Sequence, residues 1–457
     1  MLRTVISAAG VGLITIVAAQ AQAPDPAHLS LVAGYKAAFT CSAHFNAGRT
    51  VEDIAGDELN RIYPDYREAM EAMPDAVIDE ETKIVSVSYD GGVRIAAWRP
   101  YLGCVQLPSG AGIGATDRMP IITALWDRAS GTPWPETLSA DDDLLGVLAD
   151  AFDRVTYGEG TETTAVLVVK DGAIVAERYR EGFDADTSQR TWSVAKSIAA
   201  TVIGAAVHDG LIEVDQPAGL KAWSSPGDPR GAITIQTLLQ MASGLTSPTA
   251  GNRTDDIYFG GGRVADHAIT NRLVAEPGTR WRYANNDTMT VMRALHERMK
   301  NDKKFLEYPF LKVLFPLGMD HTFLETDWNG DFVMSSQVWT TSRDLARIGQ
   351  LYLNDGVWEG KRILPAGWAA YVSAPAPAQP PHSRADGTQL PGYGAQFWLF
   401  GERHGLPEGS YAAQGNRGQY LMIIPARNVL IVRRGFDDGG GFDIAKFSSD
   451  ILTALGG

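Results

Sequence analysis

The feature that most constrains the fold is the position of two predicted β-strand pairs. One pair lies near the start of the main part of the chain and the other lies near its end. Near the beginning of this part, Ala165–Val169 and Ile174–Tyr179 are apolar strands joined by the turn Asp171-Gly172. Near its end, Tyr420–Ile424 and Val429–Arg433 form a second strand pair. The long stretch between the two pairs is largely helical in pattern. We therefore predict an α+β fold, in which both ends build one antiparallel sheet and the middle forms a helical lobe.

Helices are predicted on both sides of this strand pattern. Ser139 is followed by Asp141 to Asp143, and acidic residues in a first turn are typical of a helix N-terminus. The last element, Phe442 to Leu455, carries apolar residues at helical spacing. We expect these N- and C-terminal helices to flank the sheet, in a main domain that spans residues 139–457.

The first residues are typical of an export signal. Arg3 provides a positive charge, Val11 to Ala19 form a short apolar run, and Ala19-Gln20-Ala21 is a small-x-small cleavage site. The run is short for a bilayer-spanning helix, so a membrane anchor is the less favoured alternative. We predict a signal peptide over residues 1–21, no membrane insertion after cleavage, and a periplasmic or secreted protein.

Residues 22–138 are predicted to form a small N-terminal extension and a linker. Val85–Tyr89 and Val93–Trp98 flank Asp90-Gly91-Gly92, which predicts a β-hairpin. The stretch from Pro108 to Pro135 is rich in Gly and Pro and is typical of a linker or a draped loop. The sequence assigns no function to this extension.

Cysteine content and charge limit the possible chemistry and partners. The only two cysteines, Cys41 and Cys104, lie in the extension, and an even count in an exported chain favours a disulfide over two free thiols. No zinc signature occurs, so we expect no metal and no cofactor. The formal net charge of -14 argues against nucleic acid or anionic lipid as a partner. The sequence does not specify an oligomeric state.

Ser193-Val194-Ala195-Lys196 is the only S-x-x-K motif in the chain. A helix is predicted to begin near Ser193 and to end at His208, before Gly210. Residues i and i+3 share a helix face, so the serine hydroxyl and the lysine amine can meet. A desolvated lysine can take the proton of a serine nucleophile, and the serine N–H at a helix N-terminus can bind an oxyanion.

Two further segments carry candidate site residues. Tyr283-Ala284-Asn285 precedes an apolar helix, and Tyr283 could shuttle protons if nearby cations lowered its pKa. Asn285 could hold the lysine or a substrate amide. Gln414-Gly415-Asn416-Arg417-Gly418 precedes a strand, where glycine lets the backbone approach a ligand closely. A backbone N–H on this edge could be a second oxyanion donor.

Together these motifs resemble the serine β-lactamase and penicillin-binding-protein superfamily, on its class C β-lactamase, esterase and 6-aminohexanoate-dimer hydrolase side. Further segments of the chain are similar to later blocks of that family: Ile235–Leu245, Pro277-Gly278-Thr279, Phe315–Met319, Ser342–Arg347 and Asp355–Trp358. The resemblance implies a β-lactamase/transpeptidase-like fold and an acyl-enzyme mechanism.

The same resemblance implies the roles of the individual residues. Ser193 would be the nucleophile, Lys196 its activator, and Tyr283 the general base and acid. Asn285 would support Lys196, and the N–H of Asn416 would be an oxyanion donor beside Gly415.

One position departs from the family pattern. The third motif of the family begins with Lys or His, and alignment on Gly415 and Gly418 places Ala413 there. The missing cation weakens the expectation that a substrate carboxylate is bound, and Arg417 is a candidate replacement. We therefore expect a serine hydrolase that acts on a small ester or amide.

Other functions remain open from the sequence. They are a non-catalytic binding or sensor protein of the same fold, a D-amino-acid peptidase, and a β-lactamase. A Ser-His-Asp hydrolase is disfavoured because no G-x-S-x-G elbow occurs.

Overall fold

The computed structural model describes residues 25–123, 125, 134–137, 140–247, 258–438 and 441–456. The predicted signal peptide and Ser139, the predicted helix start, lie outside these residues. Within the described ranges, no helix has both the length and the apolar composition that a bilayer span requires.

The N-terminal extension is a helical layer packed on a small sheet. Its elements in chain order are α1 (Pro26–Ala47), α2 (Val51–Gly56), α3 (Pro64–Ala72), β1 (Val77–Asp79), β2 (Ile84–Tyr89), β3 (Gly92–Arg99) and β4 (Gly103–Gln106). The four strands are antiparallel in the order β1-β2-β3-β4, which confirms the predicted hairpin of β2 and β3. Cys41 on α1 is bonded to Cys104 on β4, as predicted.

The segment predicted as a linker or draped loop packs on both the extension and the main domain. Its 3-10 helix, Ile113–Arg118, buries Ala115 against Ile84 and Ile95 of the extension sheet. Beyond it, Ile122, Leu125 and Trp134 are buried in the largest apolar core of the protein. Residues 124 and 126–133 of the predicted linker lie outside the described ranges.

The main domain contains the remaining regular elements. Its strands are β5 (Thr163–Lys170), β6 (Ala173–Tyr179), β7 (Gln189–Arg190), β8 (Phe323–Leu324), β9 (Val338–Thr340), β10 (Val357–Trp358), β11 (Lys361–Arg362), β12 (Gly392–Tyr393), β13 (Trp398–Phe400), β14 (Ser410–Gly415), β15 (Gln419–Ile424) and β16 (Val429–Gly435). Its α-helices are α4 (Asp142–Asp150), α5 (Val194–His208), α6 (Ile235–Leu239), α7 (Val264–Thr270), α8 (Asn285–Met299), α9 (Asp302–Pro309), α10 (Ser342–Leu353), α11 (Trp368–Ser373) and α12 (Ile444–Ala454).

The central sheet joins the two ends of the main domain, as the strand pattern predicts. Its seven strands have the order β12-β13-β14-β15-β16-β5-β6, and β16 pairs antiparallel with β5. Alternating side chains of these strands enter two cores on opposite faces. One core contains α4 and α12, and the other contains α5 and α10. The α+β class and both flanking helices are therefore confirmed.

Candidate active site

The nucleophile candidate lies at the start of a helix that is buried between the central sheet and the helical lobe. Ser193 precedes α5 and is partly exposed, whereas 13 of the 15 residues of α5 are buried. The small and apolar residues of this helix permit that burial. Lys196, one turn along, is 1% exposed. The helix therefore presents the hydroxyl at its accessible end and holds the amine in the interior.

Three oxygen atoms surround the Lys196 amine. Its Nζ lies 3.0 Å from Ser193 Oγ, 2.7 Å from Asn285 Oδ1 and 2.7 Å from the Ser335 carbonyl oxygen. Burial, with a smaller contribution from the positive charge of Arg190, lowers the pKa of Lys196 to about 7. The amine is thus available in its neutral form near neutral pH. The structure brings Ser193, Lys196 and Asn285 together as the sequence predicts.

Tyr283 lies against the same amine, inside a group of aromatic side chains. Lys196 Nζ is 5.0 Å from the centroid of the Tyr283 ring. Trp398 stacks on this ring at 5.5 Å, and Trp281 and Tyr393 lie within 6.4 Å of it. Burial raises the pKa of Tyr283 to about 12, and a hydrogen bond with Ser193 opposes that increase. The sequence-based proton-shuttle role required nearby cations to lower the pKa of Tyr283. Its pKa is raised instead, so Tyr283 is a neutral phenol.

Gly415, the last residue of β14, approaches the nucleophile through its backbone. A methyl group on Gly415 would lie 2.3 Å from the Thr191 carbonyl oxygen and 3.1 Å from the Ser193 amide nitrogen. Only glycine permits this approach, because any side chain would collide with the backbone. Asn416 follows and is exposed at the turn. The structure therefore brings Gly415 beside Ser193, with Asn416 as the next residue.

Ala413 and Arg417 provide no cation at this edge. Ala413 is fully buried in the core that contains α5. The sequence left open whether Arg417 replaces the missing cation, and the structure places its guanidinium elsewhere, buried against the N-terminal extension. It donates hydrogen bonds to the carbonyl oxygens of Asp57 and Asn60, both at 3.0 Å. The direction of the Arg417 side chain is therefore set by backbone carbonyl groups that are distant in sequence.

Sequence reasoning missed two groups that contact the site. Ser335 accepts from Lys196 through its carbonyl, and its hydroxyl lies 2.6 Å from the Tyr258 hydroxyl. Arg190 lies over the Trp192 ring at 3.6 Å from its centroid. Neither residue belongs to a sequence motif. The one sequence signal that could have identified either residue was the position of Arg190, three residues before the serine of the S-x-x-K motif.

Comparisons with known proteins agree with this architecture. The profile of the Beta-lactamase family matches residues 148–433. The 6-aminohexanoate-dimer hydrolase of Paenarthrobacter ureafaciens is 27% identical over 308 residues, which cover 64% of this chain and 76% of that protein.

Solved structures show the same fold. A structure from Bacillus anthracis, provisionally named a 6-aminohexanoate-dimer hydrolase, has a TM-score of 0.57 and 22% identity, covering 71% of this chain and 87% of that one. A family VIII carboxylesterase has a TM-score of 0.56 and 15% identity, covering 71% of this chain and 98% of that one.

Proposed function

This chain belongs to the beta-lactamase family and is a serine hydrolase, and we propose that it cleaves an ester or amide through an acyl-enzyme on Ser193. The observation that carries the proposal is the position of the Lys196 amine, 3.0 Å from Ser193 Oγ and held by two other acceptors. A buried amine with a lowered pKa is a base that can accept the serine proton.

The hydrogen bonds around Lys196 define the direction of the first proton transfer. A neutral amine has two N–H donors and one lone pair. Its two shorter contacts, at 2.7 Å, are to the Asn285 and Ser335 oxygens, which can only accept. The lone pair is left for the Ser193 hydroxyl. Lys196 is therefore the base of acylation in this proposal.

Acylation forms one bond and breaks one. Ser193 Oγ attacks the substrate carbonyl carbon while its proton passes to Lys196 Nζ. The resulting oxyanion is bound by the backbone N–H groups of Ser193 and Asn416. When the tetrahedral intermediate collapses, the bond to the leaving alcohol or amine breaks, and that group takes a proton.

Tyr283 is suited to donate that proton. It is neutral across the physiological range because its pKa is raised to about 12, and it lies beside the amine that received the serine proton. Lys196 then returns a proton to Tyr283. Water attacks the carbonyl carbon of the acyl-enzyme in the second half of the reaction and passes one proton to Lys196. Lys196 returns this proton to Ser193 Oγ as the bond between Oγ and the acyl carbon breaks, which releases the acid and restores the free serine and the neutral amine.

The substrate class follows from the chemistry of the turn. We propose small esters or linear amides, because Ala413 offers no charge to a substrate carboxylate and Arg417 points away. A charge-assisted hydrogen bond to a carboxylate contributes about 1.5–3 kcal/mol. The name of the curated relative, an amide-dimer hydrolase, supports a linear amide as one substrate of this class.

We also propose that the mature protein is periplasmic or secreted. The support is the signal-like N-terminus together with the disulfide between Cys41 and Cys104, since disulfides persist in oxidising compartments. The partner in this proposal is a small-molecule substrate.

Covalent labelling tests the nucleophile. A fluorophosphonate probe should add one adduct to the intact protein, and peptide mapping should place it on Ser193. Ser193→Ala should lose the adduct, whereas Ser197→Ala, a matched change on the same helix, should keep it. Labelling that survives in Ser193→Ala would refute the assignment. A stoichiometric burst of p-nitrophenol without turnover would instead indicate a binding protein.

A further inference from the structure

We propose that the N-terminal extension positions the catalytic centre, because it holds the two residues that neighbour the proposed oxyanion donors. This inference rests on the proposed function, in which the N–H groups of Ser193 and Asn416 bind the oxyanion. Trp192 precedes the first donor and Arg417 follows the second. The extension contacts both of these neighbours, although it lies outside the matched family region of residues 148–433.

Both neighbours have an uncommon backbone conformation. Trp192 has φ = 50° and Arg417 has φ = 57°, in the left-handed region that bulky side chains rarely adopt. Such residues persist where the surrounding structure fixes them, and they cluster at functional sites. The conformation of Trp192 sets the direction of the Ser193 N–H, because the two share a peptide unit. The conformation of Arg417 shapes the turn that presents Asn416.

On the nucleophile side, α1 of the extension supplies Phe39. Its ring is nearly parallel to the Trp192 ring, with an angle of 17° and 6.5 Å between centroids. The Arg190 guanidinium lies over both rings, 4.1 Å from the Phe39 centroid and 3.6 Å from the Trp192 centroid. Cation–π contacts of this kind are strongest when water is excluded, as it is here. Phe39 thereby fixes Arg190 and Trp192 directly before Ser193.

On the oxyanion side, the extension supplies backbone acceptors. The Arg417 guanidinium donates to the carbonyl oxygens of Asp57, Glu58 and Asn60, at 3.0, 3.5 and 3.0 Å. A fourth bond, to the Phe436 carbonyl at 3.3 Å, ties the same group to the main domain. A planar guanidinium with several fixed acceptors has little freedom to rotate. Arg417 therefore positions the turn that presents Asn416.

The extension is itself held rigidly at these two places. Phe39 lies two residues before Cys41, whose disulfide joins α1 to β4. The side chain of Asp57 accepts from Arg49 in the extension and from Arg180 in the main domain. Both contacts with the neighbours of the oxyanion donors thus start from anchored parts of the chain.

The experiment compares substitutions at these contacts with a matched substitution elsewhere in the extension. Arg417→Gln and Phe39→Leu remove the two contacts, and Arg417→Lys keeps the charge and some donors. Arg94→Gln is the control, because Arg94 is also buried and donates to the carbonyls of Ser30 and Leu107, both within the extension. All proteins are assayed with p-nitrophenyl butyrate well below their unfolding temperatures.

Arg417→Gln and Phe39→Leu should lower kcat by about 10–100-fold and change KM by no more than about threefold. The reason is that a misplaced oxyanion donor reduces the stabilisation of the transition state but not the binding of the substrate. Their affinity for a boronic acid, which forms a tetrahedral adduct, should fall by the same factor. Arg417→Lys should recover part of the loss. Arg94→Gln should lower the unfolding temperature but keep kcat.

Three results would overturn the inference. The first is a wild-type kcat in folded Arg417→Gln and Phe39→Leu. The second is an equal loss of kcat in Arg94→Gln, which would indicate general destabilisation. In both cases fluorophosphonate labelling of Ser193 would leave the proposed function intact. The third is labelling of the unmodified protein by the fluorophosphonate at a residue other than Ser193, which would overturn both proposals.

Discussion

The lowered pKa of Lys196 gives the sharpest prediction, a rate that falls in mild acid. An ordinary lysine with a pKa of 10.5 is neutral in only about one molecule in 3000 at pH 7, whereas Lys196, with a pKa of about 7, is neutral in about half. Because kcat/KM reports the free enzyme, its acid limb should have a midpoint near pH 7. At pH 5 the value should be about 1% of its plateau.

A charge substitution separates the causes of this midpoint. Burial is the larger cause of the low pKa, and the nearby Arg190 charge adds to it. Arg190→Gln should therefore move the acid limb to higher pH, while Arg190→Lys should leave it close to its original position. Loss of contact with Trp192 would lower the plateau of kcat/KM rather than move its midpoint, so the two effects are distinguishable.

The assay is p-nitrophenyl butyrate hydrolysis from pH 5 to pH 10, with the rate without enzyme subtracted. The reasoning would be refuted by an acid limb of the unmodified enzyme centred near pH 10 or below pH 5. It would be refuted equally by identical midpoints in Arg190→Gln and Arg190→Lys.

Three further predictions concern other groups of the site and the extension. Tyr283→Phe should lower kcat by about 10²–10⁴-fold, and a near-normal kcat would show that Tyr283 takes no part in proton transfer. Because the pKa of Tyr283 is about 12, ionisation of this residue should cause no loss of rate in the unmodified enzyme below pH 10. Loss of the Cys41–Cys104 disulfide, whose cysteines are 63 residues apart, should lower the free energy of unfolding by about 4 kcal/mol. Urea denaturation of the double variant Cys41→Ser/Cys104→Ser and of the unmodified protein measures this difference, and equal stability would contradict the loop-entropy argument. Nitrocefin kcat/KM should be far below that for p-nitrophenyl butyrate because Ala413 carries no charge, and comparable values would show that carboxylate recognition is intact.

The sequence predicted those parts of the fold and site that depend on local spacing. Ser193 and Lys196 are one helical turn apart, so their contact follows from helix geometry alone. The hairpin of β5 and β6 and the terminal helix α12 follow from periodicity and turn residues. Asn285 was a candidate partner of either Lys196 or a substrate amide, and only the family resemblance favoured Lys196, because this contact crosses 89 residues.

The features that the sequence did not predict depend on distant partners. The direction of Arg417 is set by carbonyl groups about 360 residues earlier in the chain. The pKa of Tyr283 is set by burial among Trp281, Tyr393 and Trp398, which converge only in the folded protein. Main-chain acceptors such as the Ser335 carbonyl exist at every residue, so no residue type identifies them.

The pairing of β5 with β16 has a consequence for the time at which the protein can fold. Residues 163–170 cannot form this part of the central sheet until residues 429–435 have been synthesised, close to the end of translation. Pairings of such large sequence separation form slowly, because the chain entropy is lost before the contact is gained. The central sheet of the main domain therefore stays incomplete for most of the synthesis of the chain. For the proposed export, that delay suits transport through a narrow membrane channel, which accepts an extended polypeptide and excludes a finished domain.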